Sequence, residues 1–389
     1  MFSERTNWRL TPNRFTRAVE AAKAAGAKVL DLTVSNPTRA GLVYDSGAIL
    51  SALASPRSLD YDPQSKGLVP AREAVGAYYR EAHGLSDLDA QKIVLTTSTS
   101  EGYSYVFRLL CNAGDELLVP KPSYPLFEFL ADLEDVKLVP YPLIYDHGWQ
   151  TDLPSLEKAL TARTRGIVVV HPNNPTGSFV HAHEMEALTS FCHGNQLALI
   201  VDEVFLDYGL EGQKNRSFAG NRGALTFTLS GLSKISALPQ MKVAWIVTSG
   251  PDADVRAALE RLEVIADTYL SMNAPVQWAL PALLEQRRNV QKQLLERVKG
   301  NLAELDRQLG AQKTCTRLAV EGGWYAVIRV PVTRSDEDLA IELVREKCVL
   351  VHPGHFYDFP NDGYLVLSLI TEATEFCEGV NRLLRTFQG

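Results

Sequence analysis

The feature that most constrains the fold is an alternation of short apolar runs with helical stretches through the middle of the chain. Seven runs predict strands, at 93–97, 116–119, 136–139, 166–170, 197–201, 225–229 and 243–248. Several are apolar at consecutive positions, as is typical of strands buried on both faces of a mostly parallel sheet. The stretches between them predict helices near 99–111, 124–134, 154–161 and 181–194. This alternation indicates a doubly wound α/β domain.

The two ends of the chain have a different pattern. Residues 252–309 are charged and helical, with interruptions expected near Pro275 and Pro281. The last part predicts a smaller α+β unit, with strand 324–330, helix 336–347, strands 348–352 and 364–370, and helix 373–387. The segment before residue 45 predicts an arm with one short strand at 29–34. We therefore expect an arm and part of the small domain at 1–45, a large domain at 46–275 and the remaining small domain at 276–389.

Composition argues against several classes of protein. The net charge of −7 disfavours nucleic-acid binding, because phosphate backbones select basic surfaces. No apolar run approaches the ~18 residues that span a bilayer, and the N-terminus lacks the apolar core of a signal peptide. The five cysteines show no C-x-x-C spacing, so we expect reduced thiols in a cytoplasmic protein. No G-x-G-x-x-G follows a strand and no cluster has metal-ligand spacing, so neither a dehydrogenase nor a metal site is predicted.

Polar segments follow four of the predicted strands. The run STSE at 98–101 opens a predicted helix, where unpaired N–H groups and the helix dipole favour an anion such as phosphate. The same four residues also fit a plain capping box. The run HPNNPTG at 171–177 predicts a turn at a strand end, where ligands gather in open α/β sheets, although a bare turn explains it equally.

Asp202 and Lys234 follow the other two strands. A carboxylate at the end of a buried strand is costly unless it is paired, and a protonated pyridine nitrogen would pair Asp202. A helix cap or a salt bridge is the alternative. Lys234, next to Ser233 in a small polar turn, can be desolvated, which lowers its pKa and makes it nucleophilic. A solvated surface lysine is the alternative.

The order of these segments resembles the class I/II aminotransferases of pyridoxal-5′-phosphate (PLP) fold type I. The similarity covers nearly the whole chain. Matching stretches are YDPQSKG (61–67), NAGDELLVPKPSYPLF (112–127), HPNNPTG (171–177), VDEVF (201–205), LSK (232–234), NAPVQ (273–277), GGWYAV (322–327) and HPGHFY (352–357). The resemblance implies an α/β fold with a large doubly wound, mostly parallel sheet domain and a smaller α+β domain. It also implies a PLP cofactor.

The resemblance assigns a role to individual residues. Lys234 resembles the lysine that binds PLP as a Schiff base and moves the proton between the substrate Cα and the cofactor C4′. Asp202 resembles the partner of the pyridine N–H, which keeps the ring an electron sink. The remaining cofactor-binding positions are Asn174 at the ring O3′, Tyr124 stacked on the ring, Ser98, Thr99 and Ser100 at the phosphate, Ser233 beside the lysine, and Tyr61, which would reach the phosphate of the neighbouring subunit of a homodimer.

The chain departs from the family pattern at four positions. The arginine that usually follows the lysine by eight residues and binds the phosphate is Lys242, which lacks the fork geometry of a guanidinium. The serine three residues before the lysine is Gly231. The tyrosine that often shares O3′ with the asparagine is Phe205, so one hydrogen bond is lost. The arginine of the late R-x-S motif, which binds the substrate α-carboxylate, aligns with Val366.

Two explanations of Val366 stay open. Another cation binds the carboxylate, with Arg39 as the candidate in the arm and Asn36 beside it, or the substrate presents no free α-carboxylate there. Arg39 is also consistent with a surface arginine in a Pro-containing loop. His352 and Tyr357 lie in a loop that resembles a site-facing stretch of the family, although a lone histidine is more often structural.

Three functions follow from this sequence. The first is an aminotransferase that moves an amino group, by a ping-pong route, between an amino acid or related amine and a 2-oxo acid, so that its partners are small molecules. The second is a PLP-dependent lyase, decarboxylase or cyclase of specialised metabolism, because the same fold supports all of these reactions. The third is a non-catalytic PLP-fold protein. Regulators of that kind carry a DNA-binding domain in front, and the arm before residue 28 has no room for a helix-turn-helix.

Overall fold

The computed structural model describes residues 1–125, 127–210, 216–270 and 272–387. The helices are α1 (Arg14–Ala24), α2 (Ser46–Leu53), α3 (Val69–His83), α4 (Thr99–Leu110), α5 (Phe127–Leu133), α6 (Leu153–Ala159), α7 (Ala182–Asn195), α8 (Leu232–Ile235), α9 (Asp252–Thr268), α10 (Ala274–Glu285), α11 (Arg287–Gly310), α12 (Asp336–Glu342) and α13 (Ala373–Arg385). The strands are β1 (Leu30–Asp31), β2 (Ile93–Thr96), β3 (Glu116–Lys121), β4 (Lys137–Tyr145), β5 (Trp149–Thr151), β6 (Thr164–Val170), β7 (Ala198–Asp202), β8 (Thr226–Gly231), β9 (Ala244–Ser249), β10 (Thr316–Arg317), β11 (Tyr325–Arg329), β12 (Val349–Leu350), β13 (His352–Pro353) and β14 (Tyr364–Ser368). Leu126, inside the predicted helix 124–134, lies outside the described residues.

An eight-stranded sheet in the order β2-β9-β8-β7-β6-β3-β4-β5 forms the centre of the large domain. The strands from β8 through β4 pair in parallel, whereas β9 is antiparallel to both β8 and β2, and β5 is antiparallel to β4. Every residue of β7, β8 and β9 is buried, because apolar side chains pack on both faces of the sheet. The predicted doubly wound, mostly parallel α/β domain is confirmed.

A four-stranded antiparallel sheet, β10-β11-β14-β13, lies in the smaller domain. Its core joins Phe15 of α1, Leu294 of α11, Trp324 and Leu365. β1 pairs in parallel with β12, which attaches the N-terminal arm to this domain. The predicted smaller α+β unit is therefore confirmed, but the predicted strand 348–352 is wrong in detail. It consists of β12 and β13, which belong to different sheets.

The arm contains a helix, α1, that the sequence analysis did not predict. Asn13 caps it, because its side-chain Oδ1 accepts the N–H of Thr16 at 2.7 Å. Phe15 and Ala18 of this helix are buried against the small-domain core. The neighbouring Pro12 suggested an irregular arm, but the Asn cap and the alanines that follow favour a helix once its apolar side has a core to pack against.

The predicted interruption at Pro281 is wrong, because α10 continues through it. A proline inside a helix costs ~3 kcal/mol, whereas burying a leucine side chain contributes about 1.5–3 kcal/mol. α10 buries Leu280, Leu283 and Leu284 against α2 and α3. The burial of three leucines therefore outweighs the backbone hydrogen bond lost at Pro281.

The domain boundary at 275/276 stays a prediction. The side chains of α10 pack in a cluster with Ile49 and Val75 of the large domain. α11 instead contributes Val290, Leu294 and Val298 to the small-domain core. On this packing we propose a boundary near residue 286, between the two helices.

Candidate active site

The carboxyl ends of β6, β7 and β8 meet at one edge of the large sheet. Val170 pairs with Asp202, and Asp202 pairs with Leu229. The N–H of His171 donates to the carbonyl oxygen of Asp202 at 2.8 Å. Because parallel strands end at the same edge, the loops that carry Asn174, Asp202 and Lys234 begin side by side.

Lys234 lies in α8, a four-residue helix that follows β8 directly. Its Nζ donates to the carbonyl oxygen of Ser35 at 3.5 Å. The same nitrogen lies 5.0 Å from the ring centroid of Trp324 and 5.6 Å from that of Phe205. Burial lowers the pKa of Lys234 to about 8, and the charge of Asp202 opposes this shift. Lys234 is half-buried, which disfavours the alternative of a fully solvated surface lysine.

Asp202 is a buried carboxylate at the end of β7. Its Oδ1 accepts the N–H of Val204 at 3.0 Å and its Oδ2 accepts the hydroxyl of Tyr103 at 3.2 Å. Burial raises the pKa of Asp202 to about 6, although both hydrogen bonds and the nearby Lys234 lower it. The amine and the carboxylate thus influence each other, and burial disfavours the charged form of both.

Asn174 lies in the turn after β6 and is buried. Its side-chain Oδ1 has no hydrogen-bond partner in the part of the chain that the structure describes. The turn is held by His171, whose Nδ1 accepts the N–H of Val180 at 3.0 Å and whose Nε2 donates to the carbonyl oxygen of Arg216 at 3.2 Å. Buried polar atoms in folded proteins nearly always have a partner, so Asn174 has an acceptor available for a ligand.

The predicted phosphate cradle lies at the same edge. Thr96 of β2 and Gly231 of β8 both pair with Ala244 of β9. Ser98 and Ser233 follow β2 and β8 by two residues, and Lys242 precedes β9 by two residues, so all three flank this edge of the sheet. Lys242 is exposed, and its side chain has no hydrogen-bond or ion-pair partner among the described residues.

Only half of the predicted capping box is present at the start of α4, because Ser98 caps the helix while Glu101 bonds the N–H of Thr97 rather than that of Ser98. Ser98 Oγ accepts the N–H of Glu101 at 3.2 Å, and Glu101 Oε2 accepts the N–H of Thr97 at 2.6 Å. The N–H groups of Thr99 and Ser100 have no acceptor within the helix, since the helix begins there. The two interpretations of STSE are therefore compatible, because capping occupies Ser98 Oγ and leaves two backbone donors for an anion.

The structure explains Gly231, one of the departures from the family pattern. A Cβ atom added there would lie 2.8 Å from the carbonyl oxygen of Val243 and 2.8 Å from the Cβ of Ala244. β8 and β9 therefore approach too closely for serine at this position.

Tyr124 lies before α5, on the same side of the sheet. Its ring is 39% exposed, while its hydroxyl end lies among buried groups. Burial raises the pKa of Tyr124 to about 12, with a smaller contribution from the charge of Asp202, so the two residues lie close together. Tyr61, in contrast, is 76% exposed and is not brought to the other predicted residues within one chain.

Arg39 and Asn36 belong to a short turn of the N-terminal arm. This turn follows Ser35, whose carbonyl oxygen faces Lys234 Nζ. Asn36 Oδ1 accepts both the N–H and the hydroxyl of Thr38. Arg39 is exposed, and its side chain has no hydrogen-bond or ion-pair partner within the described ranges. The arm therefore brings an unpaired guanidinium into the neighbourhood of the lysine.

Val366 is 1% exposed in β14, between Val327 and His352 of the neighbouring strands. His352 Nδ1 and the hydroxyl of Tyr357 lie 3.0 Å apart, and burial lowers the pKa of His352 to about 4. This part of the small domain therefore presents a neutral histidine and a tyrosine rather than a cation.

The family is shown by comparison with known proteins. A family model described as aminotransferase class I and II matches residues 7–376. The chain belongs to this aminotransferase family. It is 26% identical over 371 residues to the glutamate-pyruvate aminotransferase AlaA of Haemophilus influenzae, covering 92% of this chain and 91% of the relative. It is 27% identical over 374 residues to the alanine aminotransferase of Mycobacterium bovis, covering 93% and 86%.

Solved structures agree with this assignment in fold. The alanine aminotransferase of Pyrococcus furiosus superposes with a TM-score of 0.91 at 22% identity and covers 100% of both chains. An aminotransferase of Escherichia coli superposes with a TM-score of 0.88 at 24% identity, covering 100% of this chain and 98% of the other. The predicted fold and enzyme class of this aminotransferase are confirmed.

Three residues of this aminotransferase site were not singled out from the sequence. Tyr103 donates to Asp202, Trp324 lies beside the Lys234 amine, and Tyr208 donates to the Lys234 carbonyl. Trp324 occurs in the stretch GGWYAV that matches the family, which was a usable signal. Tyr103 and Tyr208 have no comparable signal, because their contacts arise only when α4 and the loop after β7 fold against the strand ends.

No described helix has the length and apolar character needed to cross a membrane. The described residues also contain no group of three or more His, Cys, Asp or Glu side chains placed to hold a metal ion.

Proposed function

We propose that this aminotransferase holds PLP on Lys234 and transfers an amino group between an amino acid and a 2-oxo acid. The observation that carries the proposal is a half-buried amine near a buried carboxylate at one sheet edge. Burial moves the pKa of Lys234 down to about 8 and that of Asp202 up to about 6. Perturbed pairs of this kind are typical of functional sites. A ligand with a carbonyl for the amine and a cationic nitrogen for the carboxylate would satisfy both groups.

The residues at this edge fit the parts of PLP. Lys234 would bind the aldehyde carbon, and Asp202 would pair with the ring nitrogen. The side-chain Oδ1 of Asn174, which has no partner among the described residues, would accept a hydrogen bond from the ring hydroxyl. Lys242 and the free N–H groups at the start of α4 would hold the phosphate, as helix starts commonly do. Tyr124, close to Asp202, would cover one face of the ring.

The chain's own groups supply the proton transfer. When bound, PLP is an electron sink that weakens the bonds at the substrate Cα. The Nζ of Lys234 would take the Cα proton, because a base is most effective when its pKa lies near the working pH. The rings of Trp324 and Phe205 exclude water from this amine, and Tyr103 holds Asp202 in place by its hydrogen bond.

We propose that Arg39 binds the substrate carboxylate. The position that carries this arginine in the family is the buried Val366, which has no polar group. Arg39 is the candidate because its guanidinium has no partner among the described residues and because its turn follows Ser35, which faces Lys234. A guanidinium matches a carboxylate in geometry and binds it through two hydrogen bonds.

Two amino donors are the first to test. The relatives described above are a glutamate-pyruvate aminotransferase and an alanine aminotransferase. We therefore propose L-alanine and L-glutamate as donors and pyruvate as an acceptor for this chain.

We propose a homodimer in which Tyr61 reaches the neighbouring site. Ser65 Oγ donates to Glu263 at 3.1 Å, so the segment after Tyr61 lies against α9. Large apolar side chains are exposed on these two neighbouring segments, namely Leu59, Tyr61, Val264, Tyr269 and Leu270. Contiguous exposed apolar side chains mark interaction surfaces, and a second copy that covers this one would also place Tyr61 beside another chain.

The experiment is a spectral screen of the PLP-loaded protein. We expect a yellow protein whose absorbance changes to that of the pyridoxamine form when L-alanine or L-glutamate is added, and returns on addition of pyruvate. No change with any amino donor would refute the aminotransferase proposal. Release of ammonia or carbon dioxide without consumption of an oxo acid would instead identify a PLP-dependent lyase or decarboxylase.

A further inference from the structure

We infer that Tyr208 is a positioning residue for Lys234. The Tyr208 hydroxyl holds the backbone of the lysine, and the Tyr208 ring supports the aromatic rings around the lysine amine. This inference rests on the proposed role of Lys234. It assigns a function to a residue outside the set that would touch cofactor or substrate.

The hydroxyl of Tyr208 donates to the carbonyl oxygen of Lys234 at 2.6 Å. Tyr208 is fully buried, and its hydroxyl has no other hydrogen-bond partner in the described part of the chain. α8 has only four residues, so its last carbonyl groups receive no hydrogen bond from an N–H group within the helix. The hydrogen bond therefore satisfies the buried hydroxyl and ties the lysine backbone to the loop after β7. It is the shorter of two bonds at the Lys234 carbonyl, which also accepts the N–H of Ala237 at 3.3 Å.

Two further side chains hold the same turn. Gln291 of α11 donates to the carbonyl oxygen of Ile235 at 2.9 Å and to Asp207 Oδ2 at 2.6 Å. The hydroxyl of Tyr44 donates to the carbonyl oxygen of Ala237 at 2.8 Å. These neighbours hold the residues after the lysine, whereas Tyr208 bonds to the lysine itself.

The ring of Tyr208 supports the aromatic side of the site. Its centroid lies 5.1 Å from that of Trp324, and the ring of Phe205 also lies 5.1 Å from that of Trp324. Trp324 and Phe205 are the two rings that face Lys234 Nζ. The N–H of Gly323 donates to the carbonyl oxygen of Tyr208 at 3.0 Å, which joins this loop to the chain leading to Trp324. Tyr208 therefore contacts both the backbone and the surroundings of the lysine.

Such support is needed because a one-turn helix has little rigidity of its own. A base that transfers a proton must be held within a fraction of an ångström, and a displacement of about 1 Å can cost up to ~100-fold in rate. Removing the hydroxyl should leave the Lys234 carbonyl with only the longer bond from the N–H of Ala237 and loosen the amine between its two rings.

The test uses Tyr208→Phe with Tyr141→Phe as the matched control, both as PLP-loaded proteins. Tyr141 is also buried, and its hydroxyl donates to the carbonyl oxygen of Val168 at 2.9 Å, so it makes the same kind of bond within the large sheet. Each variant loses one tyrosine–carbonyl hydrogen bond and keeps its ring. Both should fold, with similar losses of unfolding temperature.

The first measurement is the pH at which the absorbance of the resting, substrate-free protein changes. In wild type, burial opposes charge on the Lys234 nitrogen, and Asp202 is the charged residue that acts on it. A lysine held less firmly between its two rings is better hydrated, so we expect Tyr208→Phe to raise the midpoint by about 0.5 pH unit, while Tyr141→Phe keeps the wild-type midpoint. A Tyr208→Phe midpoint equal to or below that of wild type would overturn the inference, whichever amino donor the enzyme uses.

The second measurement is the rate of the spectral change with L-alanine, ordinary and deuterated at Cα. We expect Tyr208→Phe to react about tenfold more slowly with a larger isotope effect, because the lysine moves the Cα proton less readily. Equal rates and isotope effects in the two variants would also contradict the positioning role. A wild-type protein that fails to bind PLP would instead refute the proposed function on which this inference depends.

Discussion

The carboxylate of Asp202 should destabilise the cofactor-free protein, and its replacement by asparagine should reveal this. Burial raises the pKa of Asp202 from its ordinary value of 3.8 to about 6. The folded state therefore binds the proton more tightly than the unfolded state does. Ionising the carboxyl costs no folding stability below pH 3.8, an increasing amount between 3.8 and about 6, and a constant amount above that range.

The size of this cost follows from the shift. One unit of pKa corresponds to about 1.4 kcal/mol, so the shift amounts to ~3 kcal/mol at pH 7. An asparagine cannot accept hydrogen bonds with both side-chain atoms, so it would keep only one of the bonds from Val204 and Tyr103 and lose about 1 kcal/mol. We expect Asp202→Asn to raise the free energy of unfolding of the cofactor-free protein by about 2 kcal/mol at pH 7.

Urea unfolding of both cofactor-free proteins between pH 7 and pH 4 measures this difference. The advantage of Asp202→Asn should shrink as the pH falls below about 6. Glu203→Gln is the matched control, because Glu203 is a buried neighbour whose pKa is raised by burial to about 7 and which accepts hydrogen bonds from Ser217 and Phe218. Both variants should gain stability, but only Asp202→Asn should weaken PLP binding. An Asp202→Asn protein less stable than wild type at pH 7, or a pH-independent difference, would refute the reasoning.

Four further substitutions, one of them a control, test other parts of the proposed site and of the fold. Arg39→Ala should raise KM for a carboxylate substrate about tenfold and leave PLP affinity unchanged. An unaltered KM in steady-state kinetics would refute the proposal that Arg39 binds the substrate carboxylate. Lys242→Ala should weaken PLP binding about tenfold in an absorbance titration, and wild-type affinity would exclude a phosphate contact. Gly177→Ala should cost at least ~1–3 kcal/mol in urea unfolding, because Gly177 has φ +70° and an added Cβ would lie 2.5 Å from the carbonyl oxygen of Gly322. Gly300→Ala, with open space in α11, should instead stabilise by ~0.5–1 kcal/mol, and equal effects of the two changes would contradict the packing argument.

The sheet and its strand-end residues were predictable because burial on both faces leaves a clear pattern. β6 contains the apolar run IVVV, β7 the run ALIV, and β8 is buried throughout. Asp202 ends β7, and Lys234 is the first ionisable residue after β8. Since parallel strands end at one edge, locating the strands in sequence was enough to expect these side chains near each other.

The contacts around the lysine were not predictable from local pattern. Trp324 reaches Lys234 from the small domain, and Ser35 reaches it from the N-terminal arm. Both contacts depend on how separate parts of the chain pack, which no periodicity encodes. The same limit explains Pro281, where the packing of α10 outweighs a local helix-breaking residue.

The proposed function depends most on a covalent bond between PLP and Lys234. Borohydride reduction of the PLP-loaded protein would fix that bond, and mass spectrometry of the digested protein would locate it. We predict a pyridoxyl mass on the peptide that contains Lys234 and on no other lysine peptide. A label on a different lysine, or a yellow protein that gives no labelled peptide, would contradict the central claim.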